Sequence, residues 1–292
     1  MGPCQGSPRS RPVCGPPAQD HLTSTTSSRA AIHVPRPDGP NTHLIPSARM
    51  RARPPHRQAP VGHTNLMQFW DAPQAPDDVE ELMASWRADP SFVYHRYCWE
   101  TAHAFIEDRF DRRTLTVFES CAIPAMQSDV FRLCWLFEEG GVYVDSDQGN
   151  RGRNASFTDR TARGHLFRRP PRPQPCDGAR AARTAPFRNP RIVVCNGLMS
   201  FFDRHDPLVG KLLDRVSANV ERRIRGGVWR VTGPGVISTL LLELGPNHEL
   251  FDKMCIHDIG ELEYTILGRR CDYKSSTRHW LNATGSIYRS PT

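Results

Sequence analysis

The sequence predicts an α/β fold built on a largely parallel sheet, and three observations carry that prediction. The ordered part opens strand, helix, strand, the start of a βαβ unit. A strongly apolar helix over 125–139 stops at Gly140-Gly141 and feeds a short buried strand, Val142–Asp145. That strand ends in Asp145-Ser-Asp147, which puts two carboxylates where open α/β sheets bind ligands.

The first strand is Asn65-Leu-Met-Gln-Phe-Trp70, bounded by the breakers Pro73 and Pro76. Asp77 and Asp78 open a helix whose Val79, Leu82, Met83 and Trp86 follow the i, i+3, i+4, i+7 spacing of one face. Phe92–Cys98 is a second strand, and Glu100–Phe110 and Arg112–Cys121 are helical. Met126, Val130, Leu133 and Phe137 form one stripe on the 125–139 helix. Past the Asp-x-Asp motif, residues 151–190 hold ten Arg and six Pro with no Ile or Val, which predicts a flexible insertion. A strand over Arg191–Asn196, a long helix over Pro207–Arg225 capped by Asp206, an apolar helix over Gly235–Leu244, and short strands and loops over 254–292 complete the domain.

Residues 1–62 contain 12 of the 26 Pro and almost no apolar period, so they are expected to be disordered, with Met50 an alternative start. The domain proper is then 63–292. The formal charge of +7 is uneven: 1–62 carry eight Arg against Asp20 and Asp38, and 151–190 carry ten Arg against Asp159 and Asp177. The rest of the chain is acidic, which argues against nucleic acid as a partner. The nine Cys include no CxxC pair and no His at zinc-ligand spacing, so neither a zinc nor a disulfide framework is expected. Cys134, Cys195 and Cys255 lie in apolar runs, where a thiol behaves as a small hydrophobe. A cytoplasmic protein without a transmembrane segment is therefore predicted, with peripheral membrane association open.

Paired carboxylates suit Mn²⁺ or Mg²⁺, hard cations that bridge to phosphate oxygens and stabilise a departing diphosphate. Asp129 and Arg132 stand i, i+3 on the preceding helix and can lean over the strand's end. Tyr143 lies two residues before Asp145, on the same strand face, where it can line a nucleotide pocket.

The block from Ser128-Asp129 through Arg132 and Gly140-Gly141 to Asp145-Ser-Asp147 resembles the sugar-binding region of family 32 glycosyltransferases, which include yeast α-mannosyltransferases and bacterial glycan enzymes. It is also similar to that region of the clostridial glucosylating toxins. Gln68-Phe69-Trp70, Asn196-Gly197 and Thr232-Gly233-Pro234-Gly235 extend the likeness. The resemblance implies a GT-A, Rossmann-like domain with a mixed, mainly parallel sheet. It implies retaining transfer of a hexose from a UDP- or GDP-linked donor to a glycan, lipid-linked or protein hydroxyl. Carried over, Asp147 is the metal ligand and Asp145 reaches the metal or the ribose. Ser128, Asp129 and Arg132 bind the donor sugar, Asn196 stands near the reacting centre, and Trp70 stacks on the base. His279-Trp280 closes over the diphosphate, with His279 an added ligand.

Two other classes remain open. Aspartyl-nucleophile phosphatases also end a strand in Asp-x-Asp, but they place Thr or Val four residues after the first Asp, where this chain has Gly149. An inactive glycan-binding relative is the other.

Overall fold

The computed structural model describes residues 63–169, 193–245 and 247–290. The expected disorder of 1–62 and the second half of the expected insertion lie outside the described residues. In chain order the elements are β1 (Thr64–Phe69), α1 (Asp77–Arg87), β2 (Phe92–Tyr97), α2 (Trp99–Arg109), α3 (Arg112–Ser120) and α4 (Pro124–Glu139). Then come β3 (Gly141–Val144), β4 (Gln148–Asn150), α5 (Ala155–Thr158), β5 (Gly164–Arg169) and β6 (Val193–Phe201). Last are α6 (Pro207–Glu221), α7 (Val228–Val231), α8 (Pro234–Leu244), β7 (Met254–Asp258) and β8 (Ile266–Gly268). Short 3-10 turns cover Glu249–Phe251, Ile259–Tyr264 and Asp272–Ser275.

The central sheet runs β2-β1-β3-β6-β5-β7. β1 pairs in parallel with β2 and β3, β5 pairs in parallel with β7, and β6 is antiparallel to both of its neighbours. This is the mixed, mainly parallel α/β sheet that the sequence predicts, with helices packed against it. A separate two-stranded sheet joins β4 to β8.

α4 departs from the one-sided stripe expected of it. Phe131, Cys134 and Trp135 are buried along with Met126 and Val130, because α2, α3 and α6 cover the sides that the sheet does not. Pro124 at its first turn has no N–H to leave unpaired. The helix ends where Gly140 and Gly141 take positive φ, and a Cβ on Gly141 would sit 2.5 Å from the Asn65 carbonyl. Only glycine lets β3 start this close to β1.

The 151–190 expectation fails in its first part. Residues 164–169 form β5 inside the sheet, with His165, Leu166 and Phe167 buried between β6 and β7. This apolar core is only two residues long, and the surrounding Arg and Pro hide it from any windowed pattern. β6 also runs on to Phe201, past the expected end at Asn196, because Leu198 and Met199 pair with Val144 and Tyr143. Among the described residues no helix is long and apolar enough to cross a membrane.

Candidate active site

β1, β2 and β3 end on one side of the sheet. β6 begins there, since it runs the other way, and so Asn196 lies beside the end of β3. The Asp145–Gln148 turn is held from all sides. The Asp145 amide bonds the Gly197 carbonyl at 2.7 Å, Gln68 Nε2 donates to the Asp145 carbonyl at 3.1 Å, and Ser146 Oγ donates to the Phe69 carbonyl at 2.6 Å. Trp86 Nε1 donates to the Gln148 carbonyl at 2.7 Å. A Cβ at Gly197 would lie 2.5 Å from Asp145 Oδ2, so glycine is needed for the carboxylate to sit there.

Above this turn is a cleft of about 550 Å³, and all ten residues expected at the site line it: Trp70, Ser128, Asp129, Arg132, Tyr143, Asp145, Asp147, Asn196, His279 and Trp280. They divide into two groups.

On one side, Arg132 is buried and central. Its Nη2 lies 3.0 Å from Asp129 Oδ1, 3.4 Å from Asp145 Oδ1 and 3.1 Å from Ser128 Oγ, and its Nη1 donates to the Asn196 carbonyl. Its guanidinium also stacks over the Tyr143 ring, 4.1 Å from the centroid. Tyr143 donates its single proton to Asp145 Oδ1 at 2.6 Å, so Ser128, 2.8 Å from the same hydroxyl, must donate to Tyr143. Asp129 Oδ1 accepts from Asn196 Nδ2 at 2.8 Å, and Oδ2 accepts from Thr232 Oγ1 at 2.8 Å. Burial pushes the Asp129 carboxyl up to about 6 against the pull of Arg132. Burial also raises Asp145, with Arg132 opposing and Asp147 adding to the rise. The Tyr143 hydroxyl is driven well above its ordinary value, chiefly by burial, and stays a donor.

On the other side the charges are more open. Asp147 Oδ2 accepts from Tyr273 Oη at 2.6 Å and pairs with Lys274 Nζ at 2.8 Å. Burial works to lower the Lys274 ammonium, but the charge and hydrogen bond of Asp147, with Cys271 and Asp145 adding to them, make the net shift upward. Arg278 forks onto both oxygens of Asp71 at 2.9 Å and lies over the Trp70 ring at 5.5 Å, so that face of Trp70 is already covered. Burial and Lys274 lower the His279 imidazole, which keeps it neutral, the state a metal requires. Among the described residues, Asp145, Asp147 and His279 do not bring three donor atoms within 4.8 Å of one another. The expected third ligand is therefore in the cleft without completing a cluster. Trp280 packs half-buried against the main core at the rim.

Sequence reasoning missed Thr232 as a partner of Asp129, and Tyr273, Lys274, Arg278 and the exposed Trp229 altogether. Thr232 lay in a motif already singled out. The others sit in short segments with no periodicity to mark them.

Residues 75–156, from the approach to α1 through the Asp-x-Asp turn, match the family model of the glycosyltransferase sugar-binding region containing the DXD motif. The chain carries a glycosyltransferase sugar-binding region. That region supplies Ser128, Asp129, Arg132, Tyr143, Asp145 and Asp147, whereas Trp70, Asn196, His279 and Trp280 come from outside it. The solved structure of PaToxG Glycosyltransferase is similar over 77% of this chain and 86% of its own, at 17% identity and a TM-score of 0.40. No curated protein matches the chain significantly.

Proposed function

We propose that the chain transfers a hexose from a UDP- or GDP-linked donor to a hydroxyl of a glycan, lipid-linked or protein acceptor, with Mn²⁺ or Mg²⁺ and retention of configuration. The observation that carries this reading is the split cleft. A buried, hydrogen-bonded set built on Asp129 and Arg132 lies against an open set of opposite charges around Asp147, and a nucleotide sugar has the same two halves. The metal finds a fitting donor set in Asp145 and Asp147, which offer the carboxylate oxygens a hard cation prefers. The Lys274 ammonium on Asp147 Oδ2 shows that a positive charge is already favoured there. When bound, the ion would neutralise charge on the departing diphosphate. Retention rests on the resemblance in sequence.

The chain's own residues supply the rest. A carboxylate offers about four lone-pair sites. Asn196, Arg132 and Thr232 engage three on Asp129, which leaves one on Oδ2 for a sugar hydroxyl. The guanidinium of Arg132 holds Asp129 and Asp145 in place and fixes the Asn196 backbone. Lys274 stands ready for the diphosphate. Trp70 Nε1 is buried at the cleft with no hydrogen-bond partner among the described residues, a donor for the nucleotide. At the rim, Trp229 is 40% exposed and offers a flat apolar face to the acceptor.

The test is hydrolysis of UDP- and GDP-hexoses without acceptor, with Mn²⁺ or with chelator. Slow, metal-dependent release of nucleoside diphosphate is expected from the wild type. Asp147→Asn should abolish it while leaving the melting temperature nearly unchanged, since Asp147 is at a strand end and not in the core. Turnover of simple phosphate esters would instead favour the phosphatase, and unchanged hydrolysis in Asp147→Asn would refute the metal assignment.

A further inference from the structure

β5 and β7 pair in parallel, with His165 opposite Cys255 and Phe167 opposite His257. The two-residue period places Cys255 and His257 on one face of β7, and the register brings His165 beside them. The donor atoms of the three lie within 4.8 Å of one another. His165 is buried, His257 half-buried and Cys255 exposed, so the cluster opens to solvent at the thiol.

Hydrogen bonding fixes where the imidazole protons are. His165 Nε2 is 2.8 Å from the Asp159 carbonyl, which can only accept, so Nε2 carries the proton. His257 Nδ1 is 3.1 Å from Glu261 Oε2, an ionised acceptor, so Nδ1 carries the proton of that ring. Each neutral ring is left with one bare nitrogen. Those two, His165 Nδ1 and His257 Nε2, face each other at 2.9 Å. Two lone pairs this close repel unless a positive charge lies against both. A proton shared by the two rings would meet that need, and so would a metal ion; the third donor, Cys255 Sγ, within 4.8 Å of both, gives the cluster the composition of a metal site.

We propose that His165 Nδ1, His257 Nε2 and Cys255 Sγ bind a zinc-type divalent cation, with water in the fourth position and with the Asp159 carbonyl and Glu261 orienting the two imidazoles. Two imidazoles and a thiolate suit zinc, whereas Mn²⁺ and Mg²⁺ prefer oxygen, so this site and the Asp145/Asp147 pair select different ions. Zinc–nitrogen bonds of about 2.0–2.1 Å in a tetrahedral site set the nitrogens about 3.3 Å apart, so the rings need to part by only a few tenths of an ångström. Binding releases the Cys255 proton to solvent. The ion ties the edge strand β7 to β5 just ahead of the Ile259–Tyr264 turn, whose Ile259 and Leu262 line the cleft. The absence of any sequential zinc spacing is thus overcome by strand pairing, and Cys255 is an exposed ligand and not the buried hydrophobe expected of it.

The test uses the full chain, stripped with chelator and titrated with Co²⁺ as a spectroscopic probe. The expected result is a thiolate-to-cobalt absorption band that saturates at one equivalent, is displaced by Zn²⁺ and is untouched by excess Mn²⁺. His165 is too buried for a clean substitution, so exposed positions carry the test. Cys255→Ser should erase the band with no change in the metal-free melting temperature, and Glu261→Gln should weaken binding about 10- to 100-fold. No band, or a band that survives Cys255→Ser, would overturn the proposal in favour of a proton shared by the two histidines.

Discussion

The two sides of the cleft are built by different physics. On the sugar side, Asp129 and Arg132 are 4% and 5% exposed and draw partners from α4, β3, β6 and Thr232, so both of these charges are desolvated and held by several hydrogen bonds. On the diphosphate side, the side chains of Asp147 and Lys274 keep 15% and 35% of their surface in solvent. The contrast teaches that one half of the cleft is formed before a ligand arrives, while the other can exchange its internal ion pair for ligand charge at little cost. A buried carboxylate beside a buried guanidinium is expensive to keep ionised. The Asp129–Arg132 pair is thus better understood as positioning sugar-binding groups than as stabilising the fold.

The comparison makes graded predictions. Arg132→Met leaves the buried Asp129 without its counter-charge, and should cost about 3–5 kcal/mol in denaturant unfolding. A loss below 1 kcal/mol would show that water reaches this side of the cleft after all. The next effect is a pH dependence. Asp129 titrates near 3.9 when unfolded and at about 6 when folded, so the folded chain holds the extra proton between those values. Its contribution to stability is full below about pH 4 and is lost as the pH rises through about 6, and the upward shift of Asp145 acts in the same direction. Between pH 4 and 7 the unfolding free energy of the wild type should fall relative to Asp129→Asn by on the order of 2 kcal/mol. A constant difference would mean that Arg132 fully compensates the burial. The smallest effect belongs to the open side: Lys274→Met should change stability by less than about 1 kcal/mol, as for other partly exposed pairs.

The two sides also differ in how much of them the sequence reveals. A sixteen-residue helix, a Gly-Gly stop and a strand ending in Asp-x-Asp are local patterns, and they led to Ser128, Asp129, Arg132, Tyr143, Asp145 and Asp147 together. The partners that complete the open side, Tyr273, Lys274 and Arg278, lie in or after a four-residue 3-10 turn, too short for any period to show. β5 escaped notice because Leu166 and Phe167 stand alone among Arg and Pro. His165 and His257 meet across 92 residues of sequence, a closeness that only the β5–β7 register creates. The burial of α4 on more than one side was hidden for a related reason: a helix shows its own stripe, but not how many neighbours will cover its remaining sides.

The division of the cleft itself is most directly tested by calorimetry on Asp129→Asn at pH 7.5, where the wild-type carboxylate is ionised, with UDP and GDP alone and with the corresponding nucleotide hexoses, all in Mn²⁺. The account predicts that the free diphosphate binds as tightly as it does to the wild type. The nucleotide sugar should lose about 1.5–3 kcal/mol, or roughly 10- to 150-fold, for the charged acceptor taken from its hydroxyls. Equal losses for both ligands would mean that Asp129 supports the fold or the metal, and that the sugar is held elsewhere.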